Sequence, residues 1–407
     1  MTPFLTLTLD RPSHRYWVGE KAVYRFLAQD DCEADANFTI GGQTKLLHRT
    51  LQLKAGVPQE IELGLPSPGF LRCEVLPRGK NPLSGTMRAA AAFEPENIRP
   101  QLPMREDFDE FWEKALTELH SLPADFKMEE VPAMSIPGFS FYRISAANVN
   151  GSRAYGWLTV PKAVFGPVPL LITVSGCGPG FNATSMWPRR EFLGVWKDPV
   201  CVLCLAVHDF EPPDDATELK RKYEAMMAAH NGIHSYLHGI ENPETCSLRR
   251  AILGCVRLTE LVSELKFVDP GCIVWAGAGQ GGDFGIYISA LTKKITAAFI
   301  GTPGFCDLGD VSNGRHSVMG QLPEFREHLE EQRLFDCIWH ARKVRNPILL
   351  SVDYADTTSL PGAVFPILHT LQGERLVLEL VGGGLGFGDK SSMHTVRAWI
   401  RCNLKLI

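Results

Sequence analysis

The stretch that decides the fold of this chain is Ile273-Val274-Trp275-Ala276-Gly277-Ala278-Gly279-Gln280-Gly281-Gly282. A run of apolar residues enters a turn that is crowded with glycine, and a helical pattern leaves the turn over residues 283–291. An apolar run, a tight turn and a helix together predict a buried strand that passes directly into a helix. In sheets built from such units, ligands bind at the carboxyl ends of the strands. We therefore expect the functional site of the protein at this turn.

The glycines of the turn follow the spacing of the nucleophile elbow of α/β-hydrolases, Gly-x-Ser-x-Gly. Gly277 and Gly281 hold the two outer positions, where they allow the strand and the helix to approach closely. The residue between them, where the elbow carries its nucleophilic serine, is Gly279. Because glycine has no side chain that could attack a carbonyl carbon, the stretch predicts a hydrolase fold without the usual nucleophile.

The composition indicates a globular protein with a large core. Over 407 residues, 45% are apolar and 21% are charged, which are ordinary values for a soluble protein. The net charge of −5 gives no reason to expect a nucleic acid or an anionic membrane as a partner. We also expect no membrane contact, because no apolar run reaches the length of a bilayer span.

The N-terminal residues and the cysteines indicate the cellular setting that we expect for the protein. Residues 1–10 have the pattern of a strand and lack the basic and small-residue features of a signal peptide. The 11 cysteines are scattered, and many lie in apolar runs, such as Cys201 and Cys204. Within a strand these two side chains would point to opposite faces, so we expect buried free thiols and not a metal or disulfide pair. This usage predicts a reducing, cytoplasmic setting.

Three regions follow one another along the chain. Residues 1–92 contain short alternating runs split by turn residues, which predict a small immunoglobulin-like β-sandwich. Residues 93–124 read as a linker followed by an amphipathic helix that docks on the next domain. Over residues 125–407 near-continuous apolar strands alternate with helices, which predicts a mostly parallel sheet covered by helices on both faces.

From about residue 100 onward, the chain resembles the acetyl xylan esterase and cephalosporin-C deacetylase family of α/β-hydrolases. Four stretches carry the resemblance to the family's entry strand, oxyanion loop, elbow and acid loop: Tyr155 to Pro161, Ser175 to Gly180, Gly277 to Gly282 and Tyr354 to Pro361. The resemblance implies that Asp356 is the acid of a Ser-His-Asp triad and that Gly279 occupies the serine position. It also implies an oxyanion hole formed by the backbone amides of Cys177 and Gln280.

The same resemblance places the triad histidine in the loop after the last strand, where this chain has Leu385. His394 follows within the predicted last helix, where we interpret it as a surface residue and not as a relocated base. In Ser-His-Asp catalysis the serine attacks, the histidine takes its proton and the aspartate orients the histidine. With both partners replaced, Asp356 is expected to hold a water, a backbone amide or a hydroxyl such as that of Thr357.

The sequence is compatible with two other chemistries. Cys177 could act as a nucleophile beside His208 and Asp209, because a Cys-His pair is an established catalytic arrangement; the alternative is a small residue in a tight loop beside a structural polar pair. A metal site is the second, at His230, His234 and His238, which would share one face if the segment were helical. Gly232 argues against that helix, so we predict neither a metal nor a cofactor.

The leading hypothesis is an acetyl-xylan-esterase-like pseudo-esterase that keeps a pocket for a small acyl ester or an acetylated carbohydrate. The first alternative is an active carbohydrate or small-ester deacetylase that uses a non-standard nucleophile such as Cys177. The second alternative is a non-catalytic assembly protein, which would form a homo-oligomer through the β-sandwich.

Overall fold

The structure is a computed structural model that describes residues 4–79, 85–162, 164–309, 322–381 and 390–406. Residues 4–93 are rich in β-structure and form two sheets with strand orders β1-β3-β6 and β2-β8-β7-β4-β5. The strands are β1 (Leu5–Leu9), β2 (Arg15–Tyr16), β3 (Ala22–Ala28), β4 (Cys32–Ile40), β5 (Thr44–Leu53), β6 (Gln59–Leu63), β7 (Gly69–Pro77) and β8 (Met87–Phe93).

The two sheets share one hydrophobic cluster. Tyr24 and Phe26 of β3 alternate with exposed residues and are fully buried, as period-two patterning requires. The ring of Tyr24 meets the edge of Phe38 from the other sheet, with ring centroids 5.1 Å apart. Leu71 and Phe93 extend the same cluster. The alternating runs of β3 and β4 therefore bury one face in this cluster, whereas β7 and β8 are buried on both faces, because Phe70, Ala90 and Ala92 pack into the core of the larger part.

The first helix, α1 (Phe108–Ser121), follows the linker. Phe108, Trp112, Ala115 and Leu119 are buried, and their spacing of three and four residues places them on one helix face. The indole Nε1 of Trp112 donates to the carbonyl of Leu334 at 2.8 Å. The helix thus packs against the larger part of the protein through the apolar stripe that its sequence predicts.

A nine-stranded sheet forms the centre of the larger part, in the order β17-β16-β15-β14-β12-β13-β11-β10-β9. The strands from β12 to β17 run parallel, and β9, β10 and β11 add antiparallel neighbours at one edge. The strands are β9 (Lys127–Glu130), β10 (Phe139–Ala147), β11 (Arg153–Pro161), β12 (Val168–Val174), β13 (Cys201–Leu205), β14 (Val268–Ala278), β15 (Ala297–Gly301), β16 (Ile348–Asp353) and β17 (Arg375–Leu380).

Helices cover this sheet on both faces. They are α2 (Met186–Phe192), α3 (Ala216–Ala229), α4 (Ser247–Ser263), α5 (Gln280–Leu291), α6 (Pro323–Glu327), α7 (Leu329–Gln332), α8 (Cys337–Ala341), α9 (Pro361–Val364) and α10 (Lys390–Asn403). Within the described ranges, no helix combines the length and the apolar character needed to cross a lipid bilayer.

Burial on both faces explains the continuous apolar strands. In β13, Cys201 belongs to the hydrophobic cluster on one face, and Cys204 belongs to the cluster on the other. This confirms that the two cysteines point to opposite faces. All 11 cysteines are free thiols, and eight of them are buried, in agreement with their positions in apolar runs.

The parallel strands bring three functional loops to one edge of the sheet. The loop after β12 contains the predicted oxyanion residue Cys177, the turn after β14 contains Gly279, and the loop after β16 contains Asp356. Because β12 adjoins β14, and β15 alone separates β14 from β16, these loops are neighbours in space.

Candidate active site

The elbow has the predicted strand, turn and helix. β14 ends at Ala278, α5 begins at Gln280, and Gly279 lies between them with φ 57° and ψ −125°. This backbone conformation is strained for any residue with a side chain. A methyl group on Gly277 would lie 2.4 Å from the carbonyl oxygen of Gly281, so the outer glycine is needed for close approach. At Gly279, by contrast, a Cβ atom would meet no other atom within 4 Å. The turn therefore has room for the side chain that the sequence lacks.

The side chain of Gln280 ties the elbow to the oxyanion loop. Its Nε2 donates to the carbonyl of Ser175 at 3.0 Å and to that of Gly176 at 3.5 Å. Gln280 is buried, so this amide has little water to bond instead. The contact fixes the backbone of Gln280 against the loop that carries Cys177.

The two predicted oxyanion donors face a common atom. The backbone amides of Gln280 and Cys177 both favour the thiolate form of the Cys177 side chain, as does the hydroxyl of Tyr236, which donates to its Sγ at 2.7 Å. Cys177 is exposed as a residue, but the surrounding loops enclose its sulfur in part, and this loss of solvent is the larger effect and raises the pKa of Cys177. Both amides thus lie near the sulfur of Cys177; that they form an oxyanion hole stays a prediction.

His208, the residue that would activate Cys177 as a nucleophile, bonds a backbone carbonyl and not the sulfur. His208 uses its Nε2 to bond the carbonyl of Gly178 at 2.6 Å, and its ring stacks on Phe210. Burial lowers the pKa of His208 to about 4. The side chain that bonds the sulfur is Tyr236, whose own pKa is raised by burial and which therefore stays protonated. His208 thus stabilises the loop, and its neighbour Asp209 lies 3.8 Å from a guanidinium nitrogen of Arg250.

Asp356 lies in a tight loop after β16. Its Oδ1 accepts hydrogen bonds from the backbone amides of Thr358 at 2.7 Å and Ser359 at 3.0 Å. A backbone amide is one of the partners that the sequence analysis predicts for this carboxylate. Burial raises the pKa of Asp356, while these amides and the nearby Arg72 oppose the shift. The loop of Asp356 thus fixes its Oδ1 through the loop's own backbone amides.

Leu385, in the predicted histidine position, lies outside the described residues, so the replacement of the histidine stays a prediction. His394 lies exposed on α10, as the sequence predicts.

A cavity of about 260 Å³ opens beside the elbow. Residues of the elbow helix, of α4 and of the segment after α3 line it, including Gln280, Phe284, Arg250, Tyr236 and His238. The guanidinium of Arg250 is held by the carbonyl of Val207 at 3.1 Å. No sequence motif indicates Tyr236 or Arg250, because they reach the cavity from segments far from the motifs.

The three spaced histidines do not share a helix. α3 ends at Ala229, and Asn231 and Gly232 both have positive φ, so the chain turns there. The rings of His230 and His238 stack with centroids 3.6 Å apart, and both line the cavity. Among the described residues, the group of potential metal ligands that lies closest together is elsewhere and contains Asp283, Cys306 and Cys337.

Comparison with known proteins places this site in a family. The sequence model of the acetyl xylan esterase family matches residues 94–381, more than half of the chain. The structure is similar to that of the acetyl xylan esterase from Paenibacillus sp. R4, with a TM-score of 0.61 and 19% identity over 76% of this chain and 98% of that one. Acetyl xylan esterase 1 from Thermoanaerobacterium sp. JW/SL YS485 gives a TM-score of 0.62 and 17% identity over 77% of this chain and 98% of that one. The structural likeness supports the α/β-hydrolase fold, and the family match extends over the oxyanion loop, the elbow and the acid loop. This chain belongs to the acetyl xylan esterase family.

Proposed function

We propose that this protein is a pseudo-esterase, which binds a small acyl ester or an acetylated carbohydrate in the family's pocket and does not cleave it. The observation that carries the proposal is the elbow at Gly279. It keeps the turn, the strained backbone and the free space of a nucleophile position, but it has no nucleophile.

The state of Asp356 supports the same conclusion. In a working triad the acid orients the histidine and stabilises its charged form. Here Oδ1 of Asp356 is engaged by two backbone amides, and the histidine position is Leu385. Without a serine and a histidine, an acyl-enzyme cannot form by the usual route. Binding and an oxyanion hole alone can still leave about 10³–10⁴-fold acceleration over water.

The remaining pocket supports binding. Gln280 holds the elbow against the loop of Cys177, and this contact keeps the backbone amides of Gln280 and Cys177 close to each other. Such amides favour the carbonyl oxygen of an ester, and the adjoining cavity offers both polar and aromatic surface to a sugar. A ligand carbonyl would have to displace the sulfur of Cys177 from these amides.

The competing function is a deacetylase that uses Cys177. The observation in its favour is the position of the sulfur beside the oxyanion amides and the hydroxyl of Tyr236. Against it, the neighbouring His208 bonds the Gly178 carbonyl, and burial disfavours the thiolate. A nucleophilic thiol needs a lowered pKa or an adjacent base.

Hydrolysis of p-nitrophenyl acetate separates the two functions. The native chain, Cys177→Ala, Gly279→Ser, Leu385→His and the double variant Gly279→Ser with Leu385→His would be compared at matched concentration. We expect the native chain and Cys177→Ala to be equally slow, and the double variant to be at least about tenfold faster than either single variant, because triad members act as a unit. Native turnover that disappears in Cys177→Ala would overturn the pseudo-esterase.

Ligand binding is measured separately, by calorimetric titration of the native chain with an acetylated xylo-oligosaccharide and with its deacetylated form. Tighter binding of the acetylated form is the expected result. If neither form binds, the ligand-binding half of the proposal fails and a non-catalytic assembly role gains support.

A further inference from the structure

Three groups that can bind metal ions meet beside the start of the helix that leaves the elbow, and none of the three lines the cavity. They are the carboxylate of Asp283 in α5, the thiol of Cys306 in the loop after β15, and the thiol of Cys337 at the start of α8. One ligand atom from each lies within 4.8 Å of the others. Their exposed fractions are 2%, 0% and 0%, so the cluster is closed to solvent and to substrate.

One separation within the cluster matches the separation of two ligands around a tetrahedral ion. Sγ of Cys337 lies 3.6 Å from Oδ1 of Asp283. Around a tetrahedral zinc ion, with Zn–S near 2.3 Å and Zn–O near 2.0–2.2 Å, a sulfur and an oxygen ligand are about 3.6 Å apart. The two side chains therefore already stand at the separation that shared coordination requires.

Backbone contacts hold the ligands in place. Oδ1 of Asp283 accepts the amides of Gly304 at 2.7 Å and Phe305 at 2.9 Å, and the amide of Cys337 donates to the carbonyl of Phe305 at 2.8 Å. Hydrogen bonds of this kind orient the ligands of metal sites. They also link all three ligand-bearing segments before any ion binds.

We propose that Asp283, Cys306 and Cys337 form a structural site for one Zn²⁺ ion. Two thiolates and a carboxylate are a donor set that suits zinc better than calcium or magnesium, which take oxygen ligands. A water or a backbone carbonyl completes the coordination; the carbonyl oxygen of Asp283 lies 4.0 Å from Sγ of Cys337. Because the site is closed, its function is to join α5 to α8 and to the loop after β15, and so to brace the helix that leaves the elbow.

The first test measures the metal that the native protein holds. The chain is purified without chelators and analysed by inductively coupled plasma mass spectrometry, where we expect about one zinc ion per chain. It is then unfolded in guanidinium with EDTA and a reductant, and refolded with or without Co²⁺ in place of zinc. Refolding with Co²⁺ should produce thiolate-to-cobalt charge-transfer bands and a higher melting temperature than refolding without metal.

Variants test which residues bind. Cys306→Ser, Cys337→Ser and Asp283→Asn should each lower the affinity for zinc at least about tenfold, because even the loss of a residue that only orients a metal ligand typically has an effect of this size. Cys255→Ala is the matched control, because Cys255 is also fully buried, and it should retain the zinc. Full retention in Cys306→Ser would overturn the site.

The native chain decides the matter even if the variants fail to fold. A native protein that contains less than about a tenth of an equivalent of zinc, and that refolds with Co²⁺ without thiolate charge-transfer bands, has no such site. Cobalt binding without those bands would mean that residues other than cysteine bind the ion, and it would overturn the proposal as well.

Discussion

Arg72 donates a hydrogen bond from Nη1 to the backbone carbonyl of Asp356 at 3.0 Å. The two residues are far apart in sequence, and they join the N-terminal β-rich region to the loop of the predicted triad acid. Nη2 of the same guanidinium donates to the carbonyl of Gly42 at 2.7 Å, and the side chain is buried. The acid loop is therefore positioned in part by the N-terminal sheet, which gives that region a structural role at the site.

We expect Arg72→Met to lower the free energy of unfolding by about 1–3 kcal/mol, because the carbonyls of Gly42 and Asp356 lose a buried donor. The measurement is urea unfolding followed by fluorescence. Arg25→Met is the matched control: Arg25 pairs with Glu60 at 2.7 Å on the surface, and such pairs contribute about 0–1 kcal/mol. Equal losses in the two variants would contradict a bridging role for Arg72.

The elbow glycines should respond differently to the same small change. A methyl group at position 279 has free space, but the positive φ there is strained for alanine. We therefore expect Gly279→Ala to lower the free energy of unfolding by about 1–3 kcal/mol. Gly281→Ala meets only an ordinary contact, 3.6 Å from a methyl group of Val174, and should be neutral or stabilising by up to about 1 kcal/mol, because alanine favours helices. Gly277→Ala should be the most harmful of the three, since its methyl group would overlap the backbone. Thermal and urea unfolding of all three variants checks the order.

The local part of the site was predictable from the sequence. Apolar periodicity and glycine spacing predict the turn at Gly279, because a strand that passes into a helix leaves its signal in consecutive residues. The carboxyl end of a parallel strand likewise predicts where Asp356 lies. These predictions need only the order of the elements along the chain.

Contacts between distant segments were not predictable. The bond from Tyr236 to Cys177 and the cluster around Asp283 depend on how loops fold over the sheet, and no periodic pattern records that. Spacing alone also misleads in residues 230–238, where three histidines at helical spacing lie in a segment that turns at two residues with positive φ. Long-range packing decides such cases.

The buried imidazole of His208 should make stability depend on pH. Burial lowers its pKa to about 4, below the value of 6.5 for an exposed histidine, so the folded state favours the neutral ring. The contribution of the neutral ring to the free energy of unfolding is complete above pH 6.5, and it is lost as the pH falls from 6.5 towards 4. The slope is about 1.4 kcal/mol per pH unit for one such group.

His208→Gln keeps a donor for the Gly178 carbonyl and removes the titration. Between pH 6 and 4.5, unfolding free energies from urea titrations should therefore fall less steeply in this variant than in the native chain, by about 1.4 kcal/mol per pH unit. His394→Gln, which changes an exposed histidine of α10, serves as the control and should keep the native slope. Parallel curves for His208→Gln and the native chain would show that the ring is solvated.

The hydroxyl of Tyr236 should govern the reactivity of Cys177. It donates to the sulfur and favours the thiolate, while burial raises the pKa of the thiol. Only the thiolate reacts with iodoacetamide, so Tyr236→Phe should slow the alkylation of Cys177 several-fold at pH 8, because each unit of pKa changes the thiolate fraction about tenfold. The phenyl ring of the variant can keep the edge contact with Phe305, so the packing is retained.

Peptide mapping by mass spectrometry gives the rate for each thiol, and the exposed Cys402 provides an internal reference that should not change. Faster alkylation of Cys177 in Tyr236→Phe would mean that the tyrosine shields the sulfur and does not activate it. A slow native rate that rises with pH would agree with a thiol that no base activates. In that case Cys177 would have a sulfur near the predicted oxyanion amides but no base to activate it. The lack of a base would then explain why Cys177 does not replace the serine.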